Sequence, residues 1–165
     1  MNINLRPWKL SDIEDLVENA NNSNVAQFLT NAFPHPYTRE NAESFIKMTL
    51  EQNPIQIMAI VFEEKIVGSI GLHKQADIMM KNMELGYFVG EAFWGKGIAT
   101  EAVKKMTEYG FKNFDIVRIF ARPFGSNIPS QKVLEKAGYK LEARIEKNIY
   151  KNNEFLDELI YAFRN

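Results

Sequence analysis

Gly95 and Gly97, one residue apart, stand between a stretch that alternates and a stretch with helical spacing. Upstream, Met83, Leu85, Tyr87 and Val89 share one face and Glu84, Gly86, Phe88 and Gly90 the other, the period of two expected of a strand. Downstream, Ala99, Ala102, Val103 and Met106 recur as the apolar face of a helix. A helix start leaves backbone N–H groups without intrahelical partners at the positive end of the helix dipole, and glycines let a phosphate come close. The chemistry open to this junction is binding of a phosphate-bearing ligand. The same residues also suit a tight strand-to-helix connection that binds nothing. Two nucleotide motifs come near. Residues 90–96 spell G-x-x-x-x-G-K, but Gly97 stands where a P-loop needs a hydroxyl for Mg²⁺. Gly95-x-Gly97 begins a dinucleotide fingerprint, but Thr100 takes the third glycine position and no clear βαβ unit leads into it.

The chain has 165 residues, enough for one domain with a proper core. A net charge of −1 argues against a general nucleic-acid binder. With no cysteine there is no thiol nucleophile, disulfide framework or cysteine-based metal site. His35 and His73 stand alone in the sequence and read as surface or loop residues, so no metal is expected. The N-terminus carries Arg6 and Lys9 without an apolar signal core, and the apolar run Ile55 to Phe62 is too short to span a bilayer. A cytoplasmic protein with no membrane partner is the expectation.

The elements that must position the junction follow in order. Asn2 to Trp8 reads as a strand that Pro7 keeps at an edge. Ser11 opens a capping box with Glu14 before the stripe Ile13, Leu16, Val17 and Ala20. Residues 21–37 are irregular, broken by Pro34 and Pro36, and carry Phe28, Phe33 and Tyr37 as core plugs or pocket wall. Thr38 caps a helix with Ala42, Phe45, Ile46, Thr49 and Leu50 facing inward. Ile55 to Phe62 suits a strand covered on both faces, and Glu63 to Lys65 turn it back into Ile66 to Leu72. Gly68 and Gly71 there admit a closely approaching backbone or ligand. The central helix ends near Gly110-Phe111, and Ile116 to Arg122 alternates as a strand. Ser126 or Asn127 caps a short helix with Pro129 in its first turn and Gly138 past its end. Leu141 to Tyr150 and Glu154 to Phe163 form a final strand pair around Asn152-Asn153.

Three groups of residues carry a family resemblance. Gly95-Lys96-Gly97 resembles the pyrophosphate loop [Q/R]-x-x-G-x-[G/A] of the GNAT N-acetyltransferases, with Ala92 departing from the first position. Residues 84–89 followed by 93–102 are similar to the branch containing the ribosomal-protein N-terminal acetyltransferases. Asn127, Ser130, Gly138 and Tyr139 match the family's N-x-x-[A/S]…G-[F/Y], whereas Leu134 falls where a proton-donating tyrosine often stands. The resemblance implies one α/β domain over residues 1–165, with a mixed sheet of six or seven strands and helices on both faces. It implies acetyl-CoA as donor and a primary amine as acceptor, either a protein N-terminus or a small molecule, handled by a monomer or homodimer.

Acetyl transfer needs the thioester beside the amine, a base, oxyanion donors and a proton for the thiolate. Glu84 is the candidate base, directly or through water, and Ser130 the candidate donor to sulfur. Backbone amides around Phe88 and Val89, where this family's central strand bulges and splays, would face the oxyanion. With Gly90, the residues Gly95, Lys96, Gly97, Ile98, Ala99 and Thr100 would hold the cofactor. Asn127 and Ser130 would meet its pantetheine arm. Lys104 and Lys105 could attract phosphates, though they also suit a solvated helix face. Phe33, Tyr37 and Tyr87 are expected toward the acceptor. A catalytically weak acyl-CoA-binding module and a P-loop-like phosphotransferase stay open as alternatives.

Overall fold

The computed structural model describes residues 1–165. Strands form where the sequence alternates or runs apolar: β1 Ile3–Pro7, β2 Ile57–Phe62, β3 Lys65–Lys74, β4 Asn82–Val89, β5 Arg118–Ala121, β6 Lys140–Lys151 and β7 Glu154–Arg164. Helices α1 Ile13–Ala20, α2 Ser23–Ala26, α3 Arg39–Leu50, α4 Ile98–Asn113 and α5 Ile128–Lys136 fill the intervals. The seven strands make one sheet in the order β1-β2-β3-β4-β5-β7-β6. Every neighbouring pair is antiparallel except β4 and β5. Pro7 lies on the edge strand β1, where its missing N–H costs no ladder bond.

Two apolar cores lie on opposite faces of the sheet. Ile98, Ala102, Val103 and Met106 of α4 and Leu134 of α5 pack on one, and Ile13 and Leu16 of α1 with Ala42 and Ile46 of α3 on the other. Strand β2 feeds both, with Met58 and Ile60 in the first and Ile57 and Ala59 in the second. That is why its sequence is continuously apolar.

Three local expectations are corrected. Asp12, not Ser11, closes the turn before α1: its carboxylate accepts the Lys9 amide at 2.8 Å and pairs with Arg6 at 2.8 Å, whereas Ser11 is exposed. Glu14 turns away to pair with Arg39. Leu50 ends α3 on the solvent side, 47% exposed, because the helix has turned past its core-facing stripe. Val117, expected to share a face with Ile119 and Ala121, lies just before β5 and is 52% exposed.

The expected bulge in the central strand is also absent. β4 keeps one register along β3, from Met83 opposite Lys74 to Val89 opposite Gly68. Two register shifts lie between β6 and β7, and the one nearest to β4 lies between β2 and β3, at Ile60/Val61. Gly68 follows it for a steric reason: a Cβ there would lie 2.1 Å from the Phe88 carbonyl oxygen. The splay is nevertheless present. β4 pairs with β5 only over Asn82 to Glu84, opposite Arg118 to Phe120, and β5 then ends ahead of Pro123. No helix is long and apolar enough to cross a membrane.

Candidate functional site

The divergence of β4 from β5 opens a cleft of about 620 Å³. Its walls are β4 from Glu84 to Val89, the start of α4, the exposed side of α5 and the loop carrying Phe28, Leu29 and Thr30. The hydrogen-bond alternation of an antiparallel pair decides which backbone groups face it. Gly90 N–H donates to the Val67 carbonyl at 2.8 Å and Gln75 N–H to the Asn82 carbonyl at 3.4 Å. In that phase Gly86 and Phe88 bond to β3, and the backbones of Tyr87 and Val89 turn toward the cleft, beyond the last β5 pair. The amide of Phe88 therefore belongs to the ladder, and the free donors are those of Tyr87 and Val89. The indole Nε1 of Trp94 caps the strand end, donating to the Val89 carbonyl at 2.7 Å.

At the glycine turn, Gly95 and Gly97 have φ of +74° and +77°, a region that disfavours side chains. A Cβ on Gly95 would meet nothing within 4 Å, so this backbone borders open space. Gly97 is the N-cap of α4, whose first amides have no side-chain acceptor. Gly95, Gly97, Ile98, Ala99 and Thr100 all line the cleft. Gly90 and Lys96 do not: Gly90 is pressed against Asn19 of α1, where a Cβ would lie 2.0 Å from Oδ1, and the Lys96 ammonium sits 5.3 Å over the Phe93 ring. Lys104 pairs with Glu101 at 3.0 Å outside the cleft; the cationic residues of the lining besides Arg122 are Lys132 and Lys136.

Asn127 caps α5, its side chain accepting the Ser130 amide at 3.3 Å. This turns Ser130 toward β4, where its Oγ lies 2.7 Å from the Tyr87 hydroxyl. Burial pushes the Tyr87 phenol up to about 12, against the opposing pull of the Ser130 hydrogen bond. Leu134 is fully buried in the core and offers the cleft nothing. A tyrosine on the strand thus reaches the serine on the helix.

At the other end of β4, Arg122 grips Glu84 through Nε to Oε1 at 2.9 Å and Nη2 to Oε2 at 3.2 Å. The Glu84 hydrogen bond holds the guanidinium above its ordinary value. His73 is an exposed residue, as expected, but on strand β3 directly opposite Glu84 and so a neighbour of this carboxylate. A second chamber of about 240 Å³ joins here, sharing Thr30, Glu84, Arg122 and Phe124 with the cleft. It runs on to Ile149, Tyr150 and Lys151 of β6 and Glu158 of β7. Phe33 and Tyr37 line neither space. They pack into the core under α1 and α3, with ring centroids 5.1 Å apart and Phe33 5.4 Å from Phe88. Arg122, Trp94 and Thr30 were not singled out from sequence; the proximity of Trp94 to Gly95 was the only local signal.

The sequence profile of the acetyltransferase (GNAT) domain matches residues 2–140. YnaD, an uncharacterized N-acetyltransferase of Bacillus subtilis, is 30% identical over 159 residues, covering 96% of this chain and 91% of its own. The ribosomal-protein-serine acetyltransferase of Escherichia coli is 24% identical over 114 residues, 68% of this chain and 63% of its own. Among solved structures, the microcin C7 self-immunity acetyltransferase MccE, in complex with acetyl-CoA and AMP, superposes with a TM-score of 0.82 at 26% identity, covering 99% of this chain and 92% of that one. The near misses to P-loop and dinucleotide motifs give way to this likeness. The chain belongs to the GNAT acetyltransferase family, with homologues that include the ribosomal-protein acetyltransferases.

Proposed function

We propose that this chain transfers the acetyl group of acetyl-CoA to a primary amine by direct attack of the amine on the thioester. The observation that carries this reading is the unpaired edge of β4 beyond Glu84, which runs toward the glycine turn with the Tyr87 and Val89 backbones facing the cleft. The turn and the first amides of α4 would hold the pyrophosphate, with Lys132 and Lys136 of α5 supplying positive charge nearby. The bound donor supplies an acyl carbonyl activated as a thioester.

The chain's own groups divide the remaining work. Glu84, at the junction of cleft and chamber, takes the ammonium proton of the acceptor, directly or through one water. The Val89 amide, with that of Tyr87, donates to the carbonyl oxygen as negative charge builds on it. Ser130 Oγ gives a proton to the departing sulfur while Tyr87, 2.7 Å away and neutral with its phenol raised to about 12, passes its own to the serine; the second proton, which the attacking nitrogen sheds as it becomes an amide, returns through solvent to Tyr87. An amide and a free thiol result.

Thiol release from acetyl-CoA in the presence of an amine panel tests the reading. Acceptor-dependent release with acetylated product in the mass spectrum is the expected result. The bidentate hold of Arg122 on Glu84 favours one other reading, an acyl-CoA-binding module without turnover. Cofactor binding with no transfer to any amine would select it.

A further inference from the structure

The second chamber carries a pattern of charge that the transfer reaction alone does not require. Its ionised lining is balanced: Glu84 and Glu158 against Arg122 and Lys151. A site for a polyamine or another multiply cationic acceptor would need an excess of carboxylates. Its volume of about 240 Å³ falls below the roughly 300–1,000 Å³ typical of sites for drug-sized ligands. One wall is pinned, because the Lys151 ammonium on β6 donates at 2.6 Å to the Leu29 carbonyl on the loop between α2 and α3.

Arg122 is the informative residue. Its Nε and Nη2 engage Glu84, which leaves Nη1 and the second hydrogen of Nη2 without a partner. A guanidinium presents two forks, and the unused Nη1–Nη2 fork matches a second carboxylate. Arg122 lines both the cleft and the chamber, and its side chain is 47% exposed. Glu84 and Arg122 thus present a carboxylate and a free cationic fork side by side. That is the complement of an ammonium and a carboxylate side by side.

We infer that the acceptor is a small zwitterion with its carboxylate on the carbon bearing the amine, an α-amino acid, which Arg122 anchors while Glu84 faces its ammonium. This rests on the acetyltransferase reading and names its acceptor class. Such a ligand adds no net charge to a balanced chamber, and it satisfies the free fork without breaking the Glu84–Arg122 pair.

The test compares each common α-amino acid with its own α-carboxamide, which keeps the shape and removes the negative charge. Spermidine and a short peptide serve as further acceptors, with kcat/KM read from thiol release at saturating acetyl-CoA. At least one amino acid should exceed its carboxamide by roughly 10- to 100-fold, the range for a hydrogen bond to a charged group. Arg122→Gln should collapse that ratio toward one. A ratio is used because losing Arg122 also loosens Glu84 and slows every acceptor. Equal or better use of the carboxamides, preference for spermidine or the peptide, or no turnover of any amino acid would overturn the inference. Turnover of spermidine or the peptide alone would leave the acetyltransferase reading standing. No thermal shift with acetyl-CoA and no turnover of any acceptor would remove both.

Discussion

Tyr87 and Ser130 are 43 positions apart in the chain and share a hydrogen bond of 2.7 Å, so their roles are best measured together. Tyr87→Phe should lower kcat roughly tenfold, a modest share of what a general acid supplies, with acetyl-CoA affinity unchanged. If Tyr87 acts through Ser130, the double variant with Ser130→Ala should be no slower than Ser130→Ala alone, which a packing role would not produce. With its phenol at about 12, Tyr87 should cause no fall in rate at any pH well below that value. Asp12 gives a stability prediction. Burial raises its carboxyl, but hydrogen bonds from Arg6 and the Lys9 amide outweigh burial and bring it below its ordinary value. The folded pKa is then lower than the unfolded one near 3.9, so this contribution is complete above about pH 4 and is lost as pH falls through the folded pKa. Asp12→Asn should cost about 1–3 kcal/mol in urea unfolding at pH 7, and less in acid, where the wild type has already lost the pair.

At the scale of elements, the two glycines that matter most act in different ways. Gly68→Ala would drive a methyl group into the Phe88 carbonyl and open the β3–β4 ladder, costing about 3 kcal/mol by chemical denaturation. Gly97→Ala meets only the Met1 methyl at 3.5 Å, so its cost is the left-handed backbone, about 1–2 kcal/mol. The protein should fold and bind CoA roughly tenfold more weakly by calorimetry, as the turn amides lose their aim. What could be read from the sequence was local. The alternation of β4, the glycine turn, the Asn127 cap with Pro129 and Gly138, and the Asn152-Asn153 turn, with φ of +51° and +62°, each lie within a few residues of their cause. The rest depends on strand order. Arg122 looks like any outward charge on a strand until β5 is laid beside β4. Phe33 and Tyr37 could be wall or plug until α1 and α3 cover them, and Lys151 finds Leu29 across 122 positions. Ser11 and Asp12 both suit a cap by residue type; only the position of Arg6 on β1 selects Asp12.

For the molecule as a whole, a ligand that binds only the folded chain raises its stability. CoA at ~100 times its dissociation constant should add about 2.7 kcal/mol, read as a rise in melting temperature that ATP with Mg²⁺ does not match. The sheet is interrupted at its centre rather than at its rim, since β4 has a partner on one side only beyond Glu84. In deuterated solvent, Gly86 and Phe88, bonded to β3, should keep their amide protons while Tyr87 and Val89 lose theirs quickly. A cofactor lying along this edge would slow the second pair and leave the first as it was. The resulting trace, protected at every other residue, would mark a small molecule standing in for the missing strand.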